Sequence, residues 1–219
     1  MIVIAVDGPA GSGKSSVCRE VARRLGFGYL DTGAAYRALT WWALDLEIDV
    51  TDQDAVAGLL ESFPYSISLD PAREHVVVGE VEVTDSIRDP RISLCVSAVA
   101  TNLRVRDWMR DHARRVAAES NFVGVVAEGR DLTTVVFPDA DTRILLTASE
   151  SVRIARRAGE VAGRDLAETT ASVRERDAKD SSVVDFFDAA PGVSIVDSSE
   201  LNFDETVAAV LRRVEGSAS

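Results

Sequence analysis

Residues Gly8 to Ser15 read Gly-Pro-Ala-Gly-Ser-Gly-Lys-Ser, the spacing G-x-x-x-x-G-K-[ST]. Three glycines let a backbone turn tightly and bring its N–H groups against a phosphate. A helix that starts at such a turn points its positive end at the same anion. Lys14 would then reach the outer phosphates of a nucleoside triphosphate, and the Ser15 hydroxyl would hold a magnesium ion. The segment that would touch the nucleotide runs Gly8, Pro9, Ala10, Gly11, Ser12, Gly13, Lys14, Ser15, Ser16. Lysine occurs only twice, as Lys14 and Lys179, against 22 arginines. The composition disfavours lysine, yet one stands where a phosphate loop needs it.

Three further groups could do chemistry. Glu128-Gly129-Arg130-Asp131 sets two carboxylates and an arginine around a glycine, just past an apolar run. Buried charge is costly unless it is paired or used, so this cluster reads as a site. Asp31-Thr32-Gly33-Ala34-Ala35-Tyr36-Arg37 places Thr32, Tyr36 and Arg37 where a strand turns into a helix, the end of an open α/β sheet at which ligands sit. On spacing alone, a core tyrosine with a solvated arginine explains that stretch equally well. Finally, Arg153, Arg156 and Arg157 share one helix face, and Arg174 and Arg176 follow with Asp177 and Asp180.

The elements that must carry these groups alternate. Ile2–Val6 is a short β-branched run that reads as a buried strand, and Val17, Val21 and Leu25 fall at helical spacing behind the loop. Further strands are expected at 28–31, 122–127, 141–147 and 193–197. Helices are expected at 32–44, 55–60 and 203–214, and along 91–119 with a break near Thr101-Asn102. In the long region Leu94, Ala98, Leu103, Val105, Trp108 and Met109 form the expected apolar side, and its arginines, Arg106 among them, read first as a solvated face. Residues 65–69, 75–78 and 81–84 alternate instead, which predicts an antiparallel meander of three strands. His75, with no neighbouring His or Cys, reads as a surface residue. A helix from Ser149, glycines at 159 and 163, and a second helix at 166–179 predict a lid that closes over a triphosphate and excludes water.

The fold class that follows is α/β, a P-loop NTPase-type five-stranded parallel sheet with helices on both faces, a three-stranded antiparallel insert and a helical lid. The 219 residues suit a single kinase-sized domain. Its core is expected at 1–62, 90–152 and 181–219, the insert at about 63–89 and the lid at about 153–180. A net charge of −12 disfavours nucleic acid and anionic membranes as partners. No run approaches the ~18 apolar residues of a membrane helix, and Asp7 interrupts the first apolar stretch. Cys18 and Cys95 lack metal-ligand spacing and suit a reduced, cytoplasmic setting. A monomer is expected. A GTPase switch would need an Asn-Lys-x-Asp element, and neither lysine follows an asparagine. The arginines and the lid pattern favour small-molecule kinase chemistry instead.

The chain resembles the bacterial cytidylate kinases over nearly its whole length. The resemblance rests on Asp7 to Lys14, Leu30 to Arg37, Glu128 to Asp131 with Thr134 to Ala140, and Arg174 to Asp177. It implies transfer of the ATP γ-phosphoryl group to CMP or dCMP, with Mg2+. By that resemblance Thr32, Tyr36 and Arg37 lie on the monophosphate side, and Ser97, Arg106 and Asp131 read cytosine. Arg37 and Arg130, with Gly129 between the carboxylates, hold the acceptor phosphate. Arg176 and Asp180 lie at the phosphate and ribose. Lys14, Arg130, Arg153, Arg157 and Arg176 would offset charge on the transferred group. The family usually carries an arginine shortly after the position of Asp180; this chain has Val183 there.

Overall fold

The computed structural model of the chain describes residues 1–160 and 188–217, with Thr170, Ala171, Arg174 and Ala178 between them. The chain divides into two compact units. One comprises Met1–Tyr29 with Phe122–Ser219, the other Leu30–Asn121.

The first unit is built on a parallel sheet. Its strands are β1 (Ile2–Asp7), β2 (Gly28–Asp31, whose last two residues open the second unit), β6 (Gly124–Gly129), β7 (Thr142–Thr147) and β8 (Ser194–Asp197), in the order β2-β6-β1-β7-β8. β1 lies between β6 and β7, and its register pairs Val6 with Glu128 and Asp7 with Gly129. Buried from Ile4 onward, it has the continuous apolar run that a strand covered on both faces needs. Ile4, Val6, Val126, Ile144, Leu146 and Val196 share one face. They pack against Val17, Cys18, Val21 and Ala22 of α1 (Lys14–Leu25) and Val207 and Val210 of α7 (Phe203–Ser217). α1 stops at Gly26, left-handed at φ 66°, whose N–H bonds back to the carbonyls of Ala22 and Arg23. α6 (Glu150–Glu160) follows β7.

The second unit holds α2 (Thr32–Asp45), α3 (Gln53–Gly58), the antiparallel sheet β3 (Tyr65–Ile67), β4 (Val76–Val78) and β5 (Val81–Glu82), then α4 (Pro90–Ala100) and α5 (Leu103–Ala118). It has its own core: Ala38, Leu39, Val56, Val76, Val83, Ile87, Val99 and Val105 are wholly buried. Trp42, Phe63, Tyr65, Trp108 and His112 form a continuous aromatic group, with Trp108 and His112 stacked at 4.7 Å. Helix starts are capped as their sequences ask, by Asp31, Asp52, Asp89 ahead of Pro90, and Asn102.

The break at Thr101-Asn102 is present, and the apolar side expected for this region is corrected in part. Leu94 and Leu103 are 70% and 71% exposed, while Ile92, Val96, Val99, Val105 and Met109 are buried. Leu94 is two residues from both Ile92 and Val96 and so falls on the opposite face, and Leu103 is the first residue after the Asn102 cap; Val105 and Met109, with the partly buried Ala98 and Trp108, keep the side expected of them. His75 is half-buried, its Nε2 3.6 Å from Glu82. Among the described residues no helix is long and apolar enough to cross a membrane.

Candidate active site

The P-loop turns between β1 and α1. Gly8 is required by close approach: a Cβ there would lie 2.0 Å from the carbonyl oxygen of Leu146 in β7. Gly11, at φ 75°, meets the backbone of Arg153 in α6 in the same way, at 2.5 Å. The loop is thus wedged between β7 and α6, and only glycine fits.

Its carbonyls are taken by cations. Arg130 donates to the Gly8 oxygen, and Lys14 Nζ to Pro9 O at 3.0 Å. Arg153 Nη1 reaches Ala10 O at 2.9 Å, and Arg156 Nη1 reaches Ser12 O at 3.0 Å. With four of its carbonyls bonded to cationic side chains, the loop is braced in a turn of the kind whose N–H groups can meet an anion. Charge-assisted bonds of this kind are about twice as strong as neutral ones. Arg153 is buried here although it is charged. Arg156 goes further: it also donates to Ser198 Oγ and Ser198 O, each at 2.9 Å, and to Leu201 O at 3.3 Å. It fastens the P-loop to the turn between β8 and α7.

Two carboxylates close this side. Asp7, the last residue of β1, is 3% exposed. Its Oδ1 accepts from Leu132 N at 2.9 Å, and its Oδ2 from Thr133 N at 2.8 Å and Thr133 Oγ1 at 2.7 Å. Burial pushes its pKa above the ordinary aspartate value, while the bonds from Thr133 and Leu132 and the charge of Lys14 oppose the rise. Glu128, also buried, accepts from the Tyr29 hydroxyl at 2.7 Å, and Arg19 lies over the Tyr29 ring. Glu128 pairs in register with Val6, so it stands on the α1 face of the sheet. Gly129, Arg130 and Asp131 follow it, ahead of a wide turn at Leu132–Val136 closed by bonds from Val135 N and Val136 N to Asp131 O.

In the second unit Asp31 caps α2 through Ala34 N at 3.1 Å and accepts from Arg37 Nη2 at 2.7 Å. Burial alone would raise its pKa, yet the Arg37 charge and bond, with Arg88 and the Ala34 N–H, hold it below the usual range. Gly33 leaves the space over which Arg37 folds back; a Cβ there would come within 3.0 Å of Arg37 Nη1. Thr32 and Tyr36 stand one turn apart on the same helix. The Tyr65 hydroxyl is buried, and burial and the nearby Asp31 charge push its pKa well up. Ser97 is buried in α4, and Arg106 Nη1 reaches back from α5 to Ala100 O at 3.4 Å. Arg104 with Asp54, and Arg110 with Asp107 and Asp111, are ordinary surface pairs of α5.

The sequence-derived candidates therefore fall in two groups. Gly8 to Ser16, Gly129, Arg130, Asp131, Arg153 and Arg157 belong to the first unit, and Thr32, Tyr36, Arg37, Ser97 and Arg106 to the second. Arg176, Asp180 and Val183 lie outside the described residues, as does most of the second lid helix. Sequence reasoning passed over Asp7, Thr133 and Arg156 as working residues. A charge ending a buried strand was the available signal for Asp7, and the shared face with Arg153 the one for Arg156.

A family model described as cytidylate kinase matches residues 4–216. The chain belongs to the cytidylate kinase family. The cytidylate kinase of Cutibacterium acnes is 45% identical to it over 213 residues, 96% of this chain and 94% of that protein. The cytidylate kinase of Rhodococcus opacus is 42% identical over 215 residues, 96% and 93% of the two chains. A solved structure of an uncharacterized protein from Eubacterium ventriosum, 12% identical, superposes with a TM-score of 0.56 over 98% of each chain and shares the fold. As a member of the cytidylate kinase family the chain is a kinase with ATP as a substrate.

Proposed function

We propose that the chain transfers the γ-phosphoryl group of ATP to CMP and dCMP, giving ADP and the diphosphate, as a cytoplasmic monomer. The observation that carries this reading is the P-loop of a cytidylate kinase family chain with its carbonyls held by Arg130, Lys14, Arg153 and Arg156. Phosphoryl transfer asks for positioning and charge neutralisation rather than covalent help. The N–H groups of Gly8 to Ser16 cradle the donor phosphates, and Lys14 exchanges Pro9 O for a phosphate oxygen.

Ser15 is exposed in the first turn of α1 and offers one hard oxygen donor. That fits Mg2+, which takes few protein ligands and keeps phosphates and water for the rest. When bound, the ion would neutralise charge on the β- and γ-oxygens. Arg153, Arg157 and Arg176 would offset charge on the transferred group. Thr32, Tyr36, Arg37 and Arg130 serve the acceptor phosphate; Gly129, Arg176 and Asp180 belong to the same acceptor set. Ser97, Arg106 and Asp131 read cytosine, with Asp131 accepting from the exocyclic amine as acidic side chains do from cytosine N4 elsewhere. The insert at about 63–89 is the monophosphate-binding part, and about 153–180 is the lid.

A coupled ADP-release assay with ATP and Mg2+ tests this against CMP, dCMP, UMP, AMP, GMP and shikimate. Fast release with CMP and dCMP alone is the expected result. Release that ignores every acceptor would overturn the kinase assignment, and equal rates with UMP would overturn the base-reading roles.

A further inference from the structure

The segment assigned to the acceptor, Gly129 to Asp131, is fastened at both ends to the strand that launches the P-loop. On one side Arg130 donates to the carbonyl of Gly8. On the other, the chain reverses after Asp131 and presents the N–H groups of Leu132 and Thr133, with the Thr133 hydroxyl, to the carboxylate of Asp7. Thr133 is itself buried, at 4% exposure. Register puts Asp7 opposite Gly129, so the bonds to Leu132 and Thr133 run past the acceptor segment and close it into a loop. The two anchors are consecutive residues, Asp7 and Gly8, and Asp131 sits between the points they hold.

The chemistry of this contact is specific to a carboxylate. Three donors, two backbone and one hydroxyl, converge on two oxygens. An amide supplies one oxygen and would turn its NH2 at the remaining donors, leaving buried donors unpaired. A hydrophobic residue would leave all three so. The phosphate loop has a bond set of its own: its carbonyls at Gly8, Pro9, Ala10 and Ser12 are held by Arg130, Lys14, Arg153 and Arg156.

We infer that Asp7 is a positioning residue for acceptor selection: it fixes the backbone after Asp131, and so holds Asp131 and Arg130 at the acceptor base and phosphate. The inference rests on the proposed cytosine-reading role of Asp131. Misplacing that carboxylate weakens the contact that separates the cytosine amine from the uracil carbonyl, while the donor site is left in place.

The test measures kcat and KM for ATP, CMP and UMP in Asp7→Asn, Thr133→Val, Thr133→Ser and Asp131→Ala, each checked for folding by circular dichroism. Asp7→Asn should raise the KM for CMP and lower CMP-over-UMP selectivity about tenfold or more, with the KM for ATP within about twofold. Thr133→Val removes one of the three donors and should do the same about threefold; Thr133→Ser, which keeps the hydroxyl, should restore selectivity. A rise in KM for ATP as large as that for CMP, or kcat losses equal for CMP and UMP, would overturn the positioning role. If Asp7→Asn fails to fold, Thr133→Val decides the question by the same criteria. Asp131→Ala separates the positioning role from the base-reading role. Selectivity lost there but kept in Asp7→Asn and Thr133→Val sinks the inference alone. Selectivity kept in Asp131→Ala sinks the base-reading role on which the inference rests, and the inference with it.

Discussion

Two buried aspartates end strands in this chain, and they are held in opposite ways. Asp7, in the first unit, is surrounded by N–H and O–H dipoles from one turn, and burial wins: its pKa is raised. Asp31, in the second unit, faces the same pressure from burial, but Arg37 overcomes it and its pKa is lowered. Dipoles from a turn are rigid and directional, so the Asp7 arrangement fixes backbone. An ion pair of side chains fixes less geometry, but it keeps a guanidinium in place where burial would otherwise expel it. On the proposed reading, the first unit uses its buried carboxylate for shape, and the second uses its own to hold a cation for a phosphate.

The harshest test of that contrast is Lys14→Ala. It removes the P-loop cation and one of the influences that lowers the Asp7 pKa. Turnover should fall by about 10²- to 10³-fold, as expected for the loss of a group that stabilises transition-state charge. The circular dichroism spectrum should not change. Near-normal turnover in the ADP-release assay would remove Lys14 from the chemistry.

Asp31→Asn strikes the other aspartate. Arg37 then keeps a largely buried guanidinium, 14% exposed, without the carboxylate that pairs it. Leaving one charge of a buried pair uncompensated costs on the order of 3 kcal/mol. Asparagine retains the cap on Ala34, so Asp31→Ala should cost about 1 kcal/mol more. Urea unfolding followed by tryptophan fluorescence reads this directly, because Trp41, Trp42 and Trp108 all lie in the same unit as Asp31. A loss below about 0.5 kcal/mol would mean that Arg37 holds its place without the pair.

How far the sequence led follows the same division. The P-loop was legible because its glycines are forced: Gly8 and Gly11 touch neighbouring backbone, and no other residue fits. The strand and helix types were legible from periodicity, and the helix break from Asn102. What stayed hidden is what depends on distant partners. Nothing in the run Ile2 to Asp7 says that Asp7 meets Leu132 and Thr133, more than 120 residues away. Arg153 and Arg156 share a helix face, but which P-loop carbonyl each one takes is decided by the packing of α6 on Gly11. The aromatic group around Phe63 likewise draws on α2, β3 and α5.

Arg156 is the cationic counterpart of Asp7. It donates to Ser12 O, Ser198 Oγ, Ser198 O and Leu201 O, all neutral oxygens. Arg156→Lys keeps the charge but cannot span four acceptors in the planar geometry that guanidinium provides. It should cost about 1–2 kcal/mol of stability and raise the KM for ATP more than that for CMP. Equal effects on both substrates would show that Arg156 braces the fold at large, and not the donor loop.

The smallest effect separates the two aspartates most cleanly, because they respond to acid with opposite sign. Asp31 has a lowered folded pKa. Its contribution is complete above the unfolded value of about 3.9 and is lost as pH falls below that toward the folded value. Asp7 has a raised folded pKa. Its charge is a penalty to the folded state at neutral pH, and the penalty is relieved as pH falls through the folded pKa toward about 3.9. Wild-type stability relative to Asp31→Asn should therefore drop only below about pH 3.9. Wild-type stability relative to Asp7→Asn should rise on acidification, and only above that value. Tryptophan fluorescence follows the Asp31 unit. For the Asp7 unit, the reactivity of buried Cys18 in a Cys95→Ser background reports opening of α1. Parallel slopes in the two comparisons would mean that the turn at Leu132 and Thr133 stabilises the Asp7 carboxylate as strongly as Arg37 does Asp31, and the contrast between dipole and ion pair would fall.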